Sequence, residues 1–154
     1  MWIGRVTVKV KKATSLPKSD AIVVVSNGSC HCRLMPEKPE GHSSLKRATP
    51  ACAGTDPVWD HELTLPVVAA ATGHEDARCL TLHVKHLPVG QEWKGNDEGE
   101  WLGKVVVKLQ AIKTAEGAGL DLAVPLLKKG EAVGSAQLHV LLRAEQVPYE
   151  TYTE

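Results

Sequence analysis

The sequence contains no phenylalanine, and its whole aromatic complement is four tryptophans and two tyrosines. A core within these 154 residues must therefore come from Val, Leu and Ala, and its Val-rich stretches suit the pleated, half-buried surface of a strand. Net charge is missing too. Lys plus Arg number 18 and Asp plus Glu 18, so no global field draws the chain toward nucleic acid or an anionic bilayer, and electrostatic attraction has to come from a local patch. No apolar run reaches the roughly 20 residues that span a bilayer. The start, Met1-Trp2-Ile3-Gly4-Arg5, has neither the apolar stretch of a signal peptide nor a glycine at position 2 for acylation. This reads as a cytosolic protein or a piece of one, where Cys30, Cys32, Cys52 and Cys79 are expected as free thiols. Also absent are G-x-S-x-G, H-E-x-x-H and a phosphate-cradling glycine loop, so no enzyme is expected.

What is present is period-two patterning. From Gly4 to Val10, Val6, Val8 and Val10 alternate with Arg5, Thr7 and Lys9, which predicts a strand with an apolar inner face and a basic outer one. Ala13 to Asp20 is a polar, proline-containing connection into Ile22-Val23-Val24-Val25. Asp56-Pro57 initiates a turn, and Val58 to Leu65 follows as a half-buried strand. Leu80, Leu82 and Val84 alternate with Thr81, His83 and Lys85. A long acidic connection, residues 86–100, then leads through Trp101-Leu102-Gly103 into Lys104 to Leu109. Leu120 to Leu127 and Ala136 to Leu142 complete the set, and residues 69–76 suit a connection with one helical turn. Between 26 and 51 two readings compete. Asn27-Gly28 is a hairpin signal that folds Val23–Ser26 onto Ser29–Leu34, whereas spacing back from Trp59 makes Arg47 to Ala51 the next strand and residues 35–45 an inserted loop. The second is preferred. Seven or eight short strands with little helical periodicity predict one all-β domain over residues 1–147, an eight-stranded antiparallel sandwich, followed by a polar tail or linker at 148–154.

The stretch T-D-P-V-W-D-H-E-L-T-L-P-V, residues 55–67, closely resembles the N-P-x-W-x-E-x-F-x-F segment of the C2 domain, the calcium- and lipid-binding β-sandwich family. The V-x-V-x-V-x-x-A-x-x-L-P-x-x-D-A-x-V-V-V run from Val6 to Val25 resembles that family's first strand, first top loop and second strand. The pairing of L-x-L-x-V with a long loop and W-L-G resembles its fifth strand, third top loop and sixth strand. The order of these motifs, with V-x-V-x-V first and G-x-x-x-L-x-V-x-L last, implies the circularly permuted type II topology over about residues 3–144.

The resemblance also frames the metal question. Calcium takes six to eight oxygen ligands, largely carboxylates. Calcium-responsive members of the family converge two aspartates from the first top loop and three from the third. Here Asp20 matches one loop-one position and the other is deleted, while His86 and Pro88 stand where the first two loop-three aspartates are expected and Glu100 stands at the last. The resemblance therefore implies a dismantled site and a calcium-independent domain without cofactor. The alternative is weak calcium binding by Asp20, Asp97 and Glu100. Cys30-His31-Cys32 carries zinc-type donors at a spacing too tight for a zinc knuckle, so packing or exposed thiols is the plainer reading.

Two docking readings remain. Lys9, Lys11, Lys46 and Arg47 fall on outward strand positions and could face anionic phospholipid, and Leu87, Val89 and Trp93 lie where the family dips its third loop into the headgroup layer. The acidic Glu92, Asp97, Glu98 and Glu100 oppose an anionic surface and turn the expectation toward a protein partner. The sequence thus predicts a calcium-independent protein-interaction or scaffold module, with peripheral membrane targeting through phospholipid or phosphoinositide as the alternative. The expected location is cytoplasmic, at a membrane or cytoskeletal periphery, with no nucleic-acid partner.

Overall fold

The protein was analysed as a computed structural model, which describes residues 2–27, 46–69, 79–95, 98–115 and 117–146. The alternation in the first segment forms β1 (Trp2–Thr14), with Val6, Val8 and Val10 fully buried and Arg5 exposed on the opposite face. β1 lies between β4 (Val58–Ala69) and β8 (Glu131–Gln146), and β8 in turn pairs with β7 (Leu120–Lys128), all antiparallel. A second layer runs β3 (Lys46–Ala48), β2 (Ala21–Ser26), β5 (Cys79–His86), β6 (Glu100–Lys108), again antiparallel. The one register pair joining the layers is Lys104 with Leu127, which makes the strand order β3-β2-β5-β6-β7-β8-β1-β4. This is the eight-stranded sandwich expected, with the first strand central in its layer and the last beside it.

The core forms where the inner rows meet: Val6, Val8, Val10, Leu65 and Leu138 from one layer against Val23, Val25, Leu80, Leu82 and Val84 from the other. Burying one such side chain is worth roughly 1.5–3 kcal/mol, and these rows supply the main stabilisation. In β1 the register shifts between Val10 and Lys12 in both of its pairings, so Lys11 is an extra residue whose ammonium is re-aimed to Asp121 at 3.1 Å.

Several sequence readings need adjustment. The third strand is Lys46–Ala48 and does not extend to Ala51: Thr49 N still donates to Val23 O at 3.0 Å, but Pro50 has no N–H, and contact resumes only at the Ala21–Cys52 bridge. A helix not anticipated from the pattern, α1 (Leu109–Thr114), follows β6 and buries Leu109 and Ile112, three positions apart on one face. Trp59 packs against the core, its indole N–H donating to Ala21 O at 3.1 Å. Trp101 does not. It lies opposite Lys85 in the β5–β6 pairing, on the outward row, where its ring meets His83 edge-on. The hairpin alternative at 29–34, Cys30-His31-Cys32, the inserted loop at 35–45, the turn at 70–76 and the tail at 148–154 lie outside the described residues. Among the described residues no helix is long and apolar enough to cross a membrane.

Candidate functional site

At the rim where the loops gather, the groups that resemble a calcium site are engaged with one another. Asp20 adopts a left-handed backbone, φ 66, and its Oδ1 accepts the Gly54 N–H at 3.1 Å. Asp56 Oδ1 accepts the Ser15 N–H at 2.8 Å, and the Leu16 N–H donates to Thr55 O, so the two loops are tied together by backbone groups. Lys18, in the shortened first loop, places its ammonium 2.9 Å from Glu100 Oε2. That hydrogen bond holds the Glu100 carboxyl below the usual carboxylate range. His86 Nδ1 lies 2.6 Å from Ser19 O and 2.9 Å from Asp20 O; carbonyl oxygens only accept, so Nδ1 carries the proton.

A cation at this rim would need Asp20 and Glu100 to release these donors and would meet the Lys18 ammonium. Among the described residues no three His, Cys, Asp or Glu side chains cluster as a metal could use. Asp97 lies outside the described residues.

The expected lipid-facing residues separate in space. Lys9 sits 3.3 Å from Asp60 and Lys11 3.1 Å from Asp121, each on the outer face of the β1 layer and locally neutralised. Lys46 and Arg47 are exposed on the edge strand of the other layer. Val89 is 56% exposed, but Leu87 is only 3% exposed and packs with Ile22 and Val24, and half-buried Trp93 lies on the same cluster with Ala48 and Ala51. Leu87 and Trp93 are thus committed to covering the outer face of β2. In this arrangement the loop offers Val89, and not the expected apolar trio, to a surface.

What the sequence reading missed is a basic face. His83 and Lys104 are register partners on the outward rows of β5 and β6, and Lys85 and Trp101 are the next pair along, beyond a bulge. Lys128, from β7, places its ammonium 5.6 Å from the centre of the Trp101 ring. Burial lowers the His83 pKa below its ordinary value, and Lys104, Lys85 and Lys46 lower it further. One imidazole thus senses lysines from three strands. Trp101 Nε1 is shielded from solvent without an acceptor among the described residues. Lys85, Lys104 and Lys128 are far apart in sequence, and only period-two register across β5 and β6 could have placed the first two together.

Two facing antiparallel layers, a loop rim stitched by its own side chains and a cationic sheet face define a β-sandwich binding module. A family model for the C2 domain matches residues 4–125, and the chain belongs to that family. Domains of this family are typically non-catalytic modules for protein or membrane interaction, carried also by some enzymes. Solved structures share the fold at low identity. A C2 domain of plant extended synaptotagmin 1 is 17% identical with a TM-score of 0.62, over 96% of this chain and 98% of that one. CC2D1B, described as coordinating ESCRT-III activity during mitotic reformation of the nuclear envelope, is 16% identical with a TM-score of 0.66, over 91% of this chain and 54% of that one. Human GIVD cytosolic phospholipase A2 is 15% identical with a TM-score of 0.61, over 95% of this chain. The chain thus spans about half the length of CC2D1B and only 16% of the phospholipase. No curated protein sequence matches the chain.

Proposed function

We propose that this C2 domain docks peripherally on anionic membranes by taking a phosphorylated lipid headgroup on the outer face of β5 and β6, without calcium. The observation that carries the reading is the convergence of Lys46, Lys85 and Lys104 on half-buried His83, with Lys128 over the neighbouring Trp101. Phosphate needs several N–H donors and compensating positive charge, and lysines near an anionic leaflet contribute about 1 kcal/mol each. The resemblance adds that family members binding phosphoinositides without calcium use a lysine-rich patch around the third and fourth strands of the family's pattern, and Lys46 lies in that region. Calcium independence is supported by the Lys18–Glu100 pair, which sets an ammonium beside the carboxylate matching the family's last loop-three position.

Co-sedimentation with phosphatidylcholine vesicles, with and without phosphoinositide, in chelator and in calcium, tests this. The wild-type chain is expected to pellet with phosphoinositide vesicles in chelator, and K85E/K104E to bind at least about tenfold more weakly, since the roughly 2 kcal/mol from two lysines exceeds the 1.4 kcal/mol of one decade. Pelleting that requires calcium, or that ignores the double substitution, would defeat the proposal. A second reading, docking of a protein partner, is favoured by the apolar seam between β6 and β7.

A further inference from the structure

Opposite β5, the β6 strand has an open flank. Its one register pair with β7 is Lys104 with Leu127; among the described residues no strand pairs with Val105 to Lys108 on that side, and from Leu120 to Pro125 β7 pairs only with β8. Burial reports the same opening. Ala136, Leu138, Val140 and Leu142, the inner row of β8, are buried, whereas Leu120, Leu122 and Val124, the inner row of β7, pack on the core yet stay half-buried. In front of them lies a groove of about 420 Å³, walled by β6 and β7 and bordered by Ala111 of α1. The outward row of β6 forms one lip: Lys104, then Val106 at 50% exposure, then Lys108. Leu127, 40% exposed, stands across from it. Among the described residues the only charged ones lining the groove are these two lysines.

Two unpaired strand edges, an apolar floor and a cationic lip restrict the chemistry of an occupant. Edge N–H and C=O groups call for another backbone, and a lipid chain cannot satisfy them. A guest strand has side chains that alternate between faces, so one set meets Leu122 and Val124 on the floor while the other stands beside Lys104 and Lys108. We propose that the seam is a docking groove for an extended segment of a partner protein in which apolar and acidic residues alternate, added as a strand along the free edge of β6. This deepens the second reading above and is independent of the first, apart from Lys104, which both surfaces share.

The test uses the full chain, isotopically labelled for NMR, with a nine-residue peptide alternating valine and aspartate. Its valine–lysine counterpart is the control, and the variants Val106→Ser and Lys108→Glu spare the basic face. The acidic peptide is expected to shift the amides of Val105 to Lys108 and the methyls of Leu120, Leu122 and Val124, and to slow amide exchange along β6, with His83 and Lys85 unmoved. Each variant should weaken binding about fivefold or more while vesicle binding is kept. The proposal is overturned if millimolar acidic peptide leaves the seam unshifted, if the lysine peptide binds as well, if the variants bind unchanged, or if short-chain phosphatidylcholine occupies the groove and displaces the peptide. Loss of vesicle binding in Lys85→Glu, which lies outside the groove, with the peptide titration intact at Val106 and Lys108 would separate the two surfaces.

Discussion

His83 shows how one side chain reports the field around it. Burial and then Lys104, Lys85 and Lys46 lower its pKa, so its folded value lies below the roughly 6.5 of an unfolded histidine. Above that pH both states are neutral and His83 contributes no pH dependence. As pH falls through about 6.5 the unfolded chain takes the proton first, and stability drops until the folded pKa is passed. His83→Gln should flatten that part of the curve in chemical denaturation from pH 7.5 to 5. A bound phosphate opposes the lysine part of that shift, so on going from pH 7.5 to pH 6 vesicle affinity is expected to change more favourably in wild type than in His83→Gln, the headgroup's own protonation being common to both. The same pH dependence in wild type and His83→Gln would contradict a phosphate beside His83. The Lys18–Glu100 pair works at the same scale, its ammonium 2.9 Å from the carboxylate it holds in the charged form.

Among the elements, the connection between β5 and β6 departs furthest from expectation. Its indole at Trp93 lies on Ile22 and Val24, so the loop folds down over the sheet, with Ala48 and Ala51 at its border. Trp93→Ala is expected to lower stability by about 1–3 kcal/mol, below the roughly 3–5 kcal/mol of fully buried aromatic truncations because the ring is only half-buried, while vesicle affinity changes less than twofold. Denaturant titration beside co-sedimentation checks both; a large loss of vesicle binding at unchanged stability would show that the indole serves the membrane. The connection between α1 and β7 has its own constraint. Gly119 has φ +93, and a Cβ there would lie 2.7 Å from the Leu142 carbonyl oxygen. Gly119→Ala combines left-handed strain of about 1–2 kcal/mol with a backbone clash, so a melting temperature lowered by several degrees is expected by calorimetry.

For the molecule as a whole, equal numbers of acidic and basic residues conceal an uneven distribution. Lys9 and Lys11 are paired with Asp60 and Asp121 on one layer, while Lys46, Lys85 and Lys104 gather near His83 on the other, with Lys128 reaching its Trp101 from the end of β7. Formal neutrality argued only against a global field, and it left this local one intact. The sandwich that carries both faces depends on its inner rows. Leu82, fully buried on β5 directly behind the basic face, should cost about 2–5 kcal/mol on truncation to Ala, measured by urea denaturation at constant m-value. A loss under 1 kcal/mol would mean that the two layers do not meet there.

The sequence alone determined the β strands and the facing of most of their side chains, because a period of two is local: Val6, Val8 and Val10 cannot all be buried unless Arg5, Thr7 and Lys9 turn away. It also determined that the residues matching the family's calcium positions are mostly not carboxylates. Tertiary structure decided what lies beside what. The short α1 had too few turns to leave a period, Trp101 took its place from its cross-strand neighbours and Trp93 from the outer face of β2, and the cluster around His83 exists because register sets β2, β3, β5 and β6 side by side. The seam at β6 and β7 is likewise a tertiary outcome. A strand pattern specifies which face is apolar, and only the closure of one layer on the other decides which edge is left without a partner.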